Sequence, residues 1–318
     1  MDFFKNLKVD YKSGDLDNWT GRKSNLEDQY WHQKIKTSSI ELIHKNTDVG
    51  IIGYACDEGV RRNQGRIGAR KGPKSIRNKL GKLPIHFNKN VTDFGDVICV
   101  NNSMEDCQKA LSKSITQLIN NNIFPIAIGG GHDIAYASFN GINEALKNSL
   151  NNKIGIINFD AHFDLRSIEN KPNSGTPFNQ ILEENKNASY FAIGIQQQSN
   201  TKELFEIAKK NNVSFATNFD CESFILDLKN NLEQFINKVD HLYITIDLDG
   251  FSSAYAPGVS APSPFGFTPN FVYQVLEFLL SSKKVITCDI AELNPDLDID
   301  NHTANLAARL IDFIITNS

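Results

Sequence analysis

Six short runs of β-branched and aromatic residues recur along the chain, and few folds can accommodate them. They are Asp48–Ala55, Phe124–Gly129, Lys153–Phe159, Tyr190–Ile195, His241–Leu248 and Lys284–Ile290. A strand with one wet face alternates apolar and polar residues. A run that is apolar nearly throughout marks a parallel strand covered on both faces. Between these runs the spacing predicts helices over Pro73–Leu80, Glu105–Ile119, Ile134–Leu146, Pro177–Asn185, Thr201–Asn211, Phe224–Val239, Pro269–Ser281 and His302–Ile315. Pro73, Pro177 and Pro269 each fall in a first helical turn, where a missing N–H costs nothing. The alternation predicts an α/β fold, a parallel sheet with helices on both faces. Such sheets bind ligands beyond the carboxyl ends of their strands.

With 318 residues, 40% of them hydrophobic, the chain can bury one sizeable core. Residues 46–318 read as a single catalytic domain. Residues 1–45 are polar and aperiodic apart from Trp19 and Trp31, and read as an arm packed on that domain. The formal net charge of −4 argues against nucleic acid as a partner, because such binding relies on basic patches that neutralise phosphate. No apolar run approaches the roughly 20 residues of a membrane helix, and the opening MDFFKNLKVDYKSGD is too polar for a secretory signal. Five scattered cysteines, Cys56, Cys99, Cys107, Cys221 and Cys288, have no metal-type spacing. They predict reduced, non-catalytic thiols and a cytoplasmic location.

Three segments at predicted strand ends carry the chemistry. Pro-Ile-Ala-Ile-Gly-Gly-Gly-His-Asp ends at His132 and Asp133. Asn-Phe-Asp-Ala-His-Phe-Asp holds Asp160, His162 and Asp164, and Thr-Ile-Asp-Leu-Asp-Gly holds Asp247 and Asp249. In an extended segment positions i, i+2 and i+4 share one face, so Asp160, His162 and Asp164 are expected to converge on one point. A lone strand-end Asp more often caps a helix. Four Asp and two His at one sheet edge would repel one another without a counterion, so such a cluster must be paired, protonated or metal-bound. Oxygen-rich ligation with two imidazoles and no thiolate suits two divalent cations, and Mn2+ better than Zn2+.

The strings GGGHD, DAHFD and DLDGFSSAYAPGVSAP, in this order, resemble the arginase/ureohydrolase superfamily over residues 47–315. The resemblance implies a three-layer αβα fold with a parallel sheet of about eight strands, two Mn2+ per subunit, and a homo-oligomer. It implies that His132, Asp160, Asp164 and Asp247 ligate one ion. Asp160, His162, Asp247 and Asp249 ligate the other, with Asp160 and Asp247 bridging. Water would then attack the sp2 carbon of a guanidinium or amidine. Asp164 would handle the proton, and Glu292 would pair with the substrate's cationic head.

Within the superfamily, Asp-Glu-Gly-Val-Arg-Arg-Asn (57–63), Trp19-Thr20-Gly21-Arg22, Trp31-His32-Gln33, Arg166 after DAHFDL, and Ser174 to Gln180 resemble formimidoylglutamases. Asn179 departs from that pattern, where Arg is usual. Phe178 stands near a position where arginases carry His. The resemblance implies hydrolysis of N-formimidoyl-L-glutamate to L-glutamate and formamide in histidine degradation. Such a small-molecule dicarboxylate needs cationic donors. Arg166, Arg61 and Arg62 are the candidates, with Ser174 as a further substrate contact. Two alternatives are another ureohydrolase, of guanidinobutyrase, agmatinase or arginase type, and an inactive metal-binding protein on the same fold.

Overall fold

The computed structural model describes residues 3–43 and 46–318. Among these residues ten strands form one sheet. They are β1 (Val9–Lys12), β2 (Lys36–Thr37), β3 (Val49–Ala55), β4 (Val91–Cys99), β5 (Phe124–Ile128), β6 (Ile154–Phe159), β7 (Ala188–Ile195), β8 (Ser214–Thr217), β9 (His241–Asp247) and β10 (Val285–Ala291). The helices are α1 (Trp31–Lys34), α2 (Glu58–Arg62), α3 (Gly72–Leu80), α4 (Met104–Asn120), α5 (Ile134–Leu146), α6 (Pro177–Glu184), α7 (Lys202–Lys210), α8 (Leu226–Ile236), α9 (Pro269–Ser281) and α10 (His302–Asn317).

The strand order is β1-β4-β3-β5-β10-β9-β6-β7-β8, with β2 also paired to β4. The eight strands from β4 to β8 in this order are mutually parallel, and β1 closes one edge antiparallel. Alternating residues feed two cores, one per face. Ile126 and Ile128 join the core under α3, α8, α9 and α10, while Ala127 joins that under α4 to α7. This is the expected three-layer αβα architecture.

The chain passes from β5 to β6 across a gap that β10 and β9 fill. The carboxyl ends of four neighbouring strands, β5, β10, β9 and β6, therefore meet at the middle of the sheet. Such a switch in strand order is where open α/β sheets bind ligands. Ala291 lies level with Asp247, and Phe159 with Ile246, so the residues that leave these strands emerge side by side.

The predicted runs and helices recur within a few residues of the elements observed. β4 and β8 were not expected. β4 carries Asp93 and Asp96, which break its apolar run. Both are held by the fully buried Arg77 of α3, at 2.8 and 2.6 Å. β8 is a short edge strand.

The arm differs from an aperiodic wrap in that it supplies β1 and β2 to the sheet. Its two tryptophans stack, and each indole N–H donates to a distant carboxylate: Trp19 to Asp93 at 2.9 Å and Trp31 to Asp312 at 2.7 Å. Met1, Asp2, His44 and Lys45 of the arm lie outside the described residues. Trp31→Phe keeps a ring but removes the donor to Asp312. Chemical denaturation should report a loss of about 1.5 kcal/mol, the low end for a bond to a charged acceptor. An unchanged midpoint would show that this bond does not fasten the arm.

Candidate metal centre

The turn after β5 is built by glycine. Gly129 and Gly130 have φ of +83° and +78°. A Cβ on Gly130 would sit 2.4 Å from the Tyr54 ring and within 3 Å of two backbone carbonyls. Only residues without a side chain turn here, and the turn delivers His132 to the sheet edge. The imidazole Nδ1 then lies 3.1 Å from Asp160, 2.9 Å from Asp164 and 3.2 Å from Asp247. Nε2 is 3.0 Å from the hydroxyl of Thr245 on β9. A ring that offers Nδ1 to a cation carries its proton on Nε2, so Thr245 fixes the useful tautomer. Thr245→Val should weaken Mn2+ binding on the order of tenfold, read by titration of metal-free protein; an unchanged affinity would show that the hydroxyl has no orienting role.

The aspartates converge by turns rather than by the pleat of an extended strand. β6 ends at Phe159. Asp160 Oδ1 accepts the backbone N–H of His162 at 2.7 Å, and Asp164 has φ of +49°. Asp247 repeats the device, its Oδ1 accepting the N–H of Asp249 at 2.8 Å. Asp160 is steadied from behind by Asn158, at 3.1 Å. Its two oxygens face opposite ways, with Oδ1 3.4 Å from His162 Nδ1 and Oδ2 3.1 Å from His132 Nδ1. Asp249 Oδ2 lies 3.3 Å from His162 Nδ1.

Two groups of side chains can each hold an ion: His132, Asp160, Asp164 and Asp247, and Asp160, His162 and Asp249. Asp160 belongs to both; Asp247 belongs to the first alone. The electrostatics call for cations. Burial, with the neighbouring carboxylates, pushes Asp247, Asp164 and Asp249 above the usual carboxylate range. Burial alone would lower His132, but Asp247, Asp160 and Asp164 hold its proton affinity well above the ordinary value. Asp249 Oδ1 is buried with no hydrogen-bond partner, a costly state unless a ligand completes it. Four carboxylates and two imidazole Nδ1 atoms, one carboxyl oxygen orphaned, suit a pair of hard or borderline divalent ions.

Glu292, just past β10, has φ of +69°, a strained conformation for a residue with a side chain. Its N–H donates to Gly130 O and its Oε1 accepts the His132 N–H, both at 2.8 Å. The glutamate is thereby locked to the glycine turn beside the metal groups. Burial, with Asp249 near, pushes its carboxyl up to about 8.

A cavity of about 420 Å³ lies over these groups; His132, His162, Asp164, Asp247, Asp249 and Glu292 are on its wall. Arg166 and Ser174 border it too. Asn63, unforeseen in the sequence, joins them: Arg166 donates to its Oδ1 at 3.2 Å, and its Nδ2 donates to the Ser174 hydroxyl at 3.1 Å. Arg61 and Arg62 are not on this cavity. Glu58 holds Arg61 at 2.6 Å and Arg62 at 2.8 Å, and Glu105 takes the rest of Arg62. The arginine that borders the cavity from this loop is instead Arg66. Glu58 lies only three and four residues before Arg61 and Arg62, whereas the Glu105 partner of Arg62 is 43 residues away and leaves no local signal. Phe178 packs on Tyr190 and edge-on against His132, and Asn179 bonds Glu183 on its own helix. No cysteine borders the cavity.

Fold and centre define an αβα protein with a binuclear, carboxylate- and imidazole-rich metal site at the carboxyl edge of a parallel sheet. The chain belongs to the arginase family, whose model matches residues 47–316. Among curated relatives, a formimidoylglutamase of Clostridium tetani is 41% identical, with 97% of this chain and 96% of the relative covered. One of Legionella pneumophila is 43% identical, covering 92% and 93%. Formimidoylglutamase from Bacillus subtilis superposes with a TM-score of 0.82 at 21% identity, covering 93% and 94%. A Trypanosoma cruzi formiminoglutamase solved with Mn2+ gives 0.77 at 24% identity, covering 86% and 94%. These two structures show the shared fold. No described helix is long and apolar enough to cross a membrane.

Proposed function

We propose that this protein is a binuclear manganese hydrolase that converts N-formimidoyl-L-glutamate and water to L-glutamate and formamide. The observation that carries the reading is a kinship of 41% identity over nearly the whole chain with a curated formimidoylglutamase. The chemistry of the cavity supports it, since Arg166, a guanidinium with no acidic partner among the described residues, stands beside the metal groups.

In this reading His132, Asp160, Asp164 and Asp247 hold one ion. Asp160, His162, Asp247 and Asp249 hold the other. Two divalent ions bound there would supply a nucleophilic water near neutral pH. The amidine carbon is a poor electrophile, and the chain's own groups raise its reactivity. Glu292, fixed by its bond to the glycine turn, orients the amidinium head and balances its charge. Asp164 takes the proton lost by water and returns it to the leaving nitrogen, which departs as the amine of glutamate. Arg166 and Ser174 hold the glutamate body, so that the head is presented to the metal groups in one orientation. The buried ring of Phe178 beside His132 keeps that side of the site dry and offers no proton relay.

The same reading places the enzyme in the cytoplasm as a homo-oligomer, which sedimentation of the purified protein would test. The deciding experiment for the substrate is a panel of N-formimidoyl-L-glutamate, arginine, agmatine and 4-guanidinobutyrate given to Mn-loaded protein. Formamide release from the first, with little urea from the others, is expected. Urea from a guanidino acid at a higher kcat/KM would overturn the assignment.

A further inference from the structure

We infer that Arg66 is a second carboxylate-binding residue, so that Arg66 and Arg166 each take one carboxylate of a dicarboxylate substrate. The inference rests on the substrate reading above and adds how a second negative charge is recognised.

The charge pairing of the cations near the site separates them. Arg61, Arg62 and Lys71 are each neutralised by an acidic side chain, Glu58, Glu105 or Asp296. None of the three borders the cavity over the metal groups. Arg66 and Arg166 both border it, and among the described residues neither has an acidic partner.

Arg66 is held firmly, yet only by neutral groups. Its N–H donates to the Ser260 hydroxyl at 2.8 Å, its Nε to Ser260 O at 2.9 Å and its Nη2 to Val259 O at 2.8 Å. Its carbonyl accepts from Asn294 at 3.1 Å, two residues past Glu292. Carbonyl oxygens orient a guanidinium without cancelling its charge. Nη1 has no partner among the described residues. A cation fixed in advance, with donors to spare, loses little freedom when an anion arrives. Arg166 likewise has a single side-chain partner, the neutral amide of Asn63. Two uncompensated guanidinium groups on one cavity wall match two carboxylates on one ligand.

A purely structural Arg66 would only pin residues 259–260, and the test separates the two roles. Wild type, Arg66→Met, Arg66→Lys and Arg166→Met are compared on N-formimidoyl-L-glutamate and two analogues. N-formimidoyl-L-alanine keeps only the α-carboxylate, and N-formimidoyl-4-aminobutyrate only the distal one. Arg66→Met should lower kcat/KM on the full substrate roughly 10- to 30-fold. It should cost similarly on one analogue and within about twofold of nothing on the other, with Arg166→Met showing the opposite preference. Arg66→Lys keeps the charge but cannot make both carbonyl bonds, so it should recover part of the loss if charge is what matters. Equal losses on all three substrates, or Lys no better than Met, would overturn the proposal. Calorimetric titration of Mn-loaded protein with glutarate reads the clamp without turnover. Roughly tenfold weaker binding in Arg66→Met supports it, and unchanged binding overturns it. A wild type that binds glutarate yet releases no formamide would sink the substrate reading alone.

Discussion

Asp160→Asn is expected to lower kcat/KM by about three orders of magnitude, because Asp160, one of the two proposed shared ligands, is the side chain that lies within reach of both groups among the described residues. The substitution keeps the shape and the hydrogen bond to the His162 N–H, now through an amide oxygen. It removes the negative charge and replaces one oxygen by a donor NH2, which cannot ligate. The proposed centre would then lose a ligand shared between its two ion positions. Stabilisation of the developing charge by such ions is worth several kcal/mol, and about 4 kcal/mol corresponds to that loss at 1.36 kcal/mol per decade. Metal analysis should show fewer ions per chain than in wild type. Activity within tenfold of wild type at unchanged metal content would show that Asp160 does not bridge.

Arg166→Ala is the second large effect, and it acts on a different quantity. The residue leaves the metal segment two positions after Asp164. Its backbone is fixed to Gly175 O at 2.9 Å and its side chain to Asn63. A charge-assisted contact to a carboxylate is worth roughly 1.5–3 kcal/mol, so kcat/KM for N-formimidoyl-L-glutamate should fall roughly 10- to 200-fold. Metal content should not change, because a guanidinium cannot ligate a cation. A neutral-tailed amidine should be hydrolysed as by wild type. Equal loss on both substrates would mean that Arg166 supports the loop against Gly175 and Asn63 rather than the substrate.

The parts of the fold that could be read in advance are those with a local physical signature. Strands buried on both faces announce themselves as continuous apolar runs, and proline in a first turn marks where helices begin. β4 gives no such signal, since Asp93 and Asp96 look like solvent residues until Arg77 is found beneath them, 16 and 19 positions away. The same holds for the arm, whose β1 gains its partners only from β4, more than 80 residues later.

At the site, all six carboxylate and imidazole residues were legible, because charge crowded at strand ends demands a counterion wherever the chain goes. The geometry behind them was not. Asp160 and Asp247 turn the chain by accepting N–H groups two residues on, where an extended backbone was expected. Which arginines border the cavity depends on how the loop folds: Glu58 turns Arg61 and Arg62 back onto their own helix, and Glu105 engages Arg62 from 43 residues away. The cavity is bordered instead by Arg66, whose partners Val259 and Ser260 lie more than 190 residues away and give no sequence signal.

Metal analysis paired with turnover on the same sample tests the central claim most directly. Protein stripped with a chelator and then titrated with Mn2+ should bind about two ions per chain, with formamide release from N-formimidoyl-L-glutamate rising in step with the second. Full activity at a stoichiometry near zero would contradict a binuclear hydrolase built on His132, Asp160, His162, Asp164, Asp247 and Asp249.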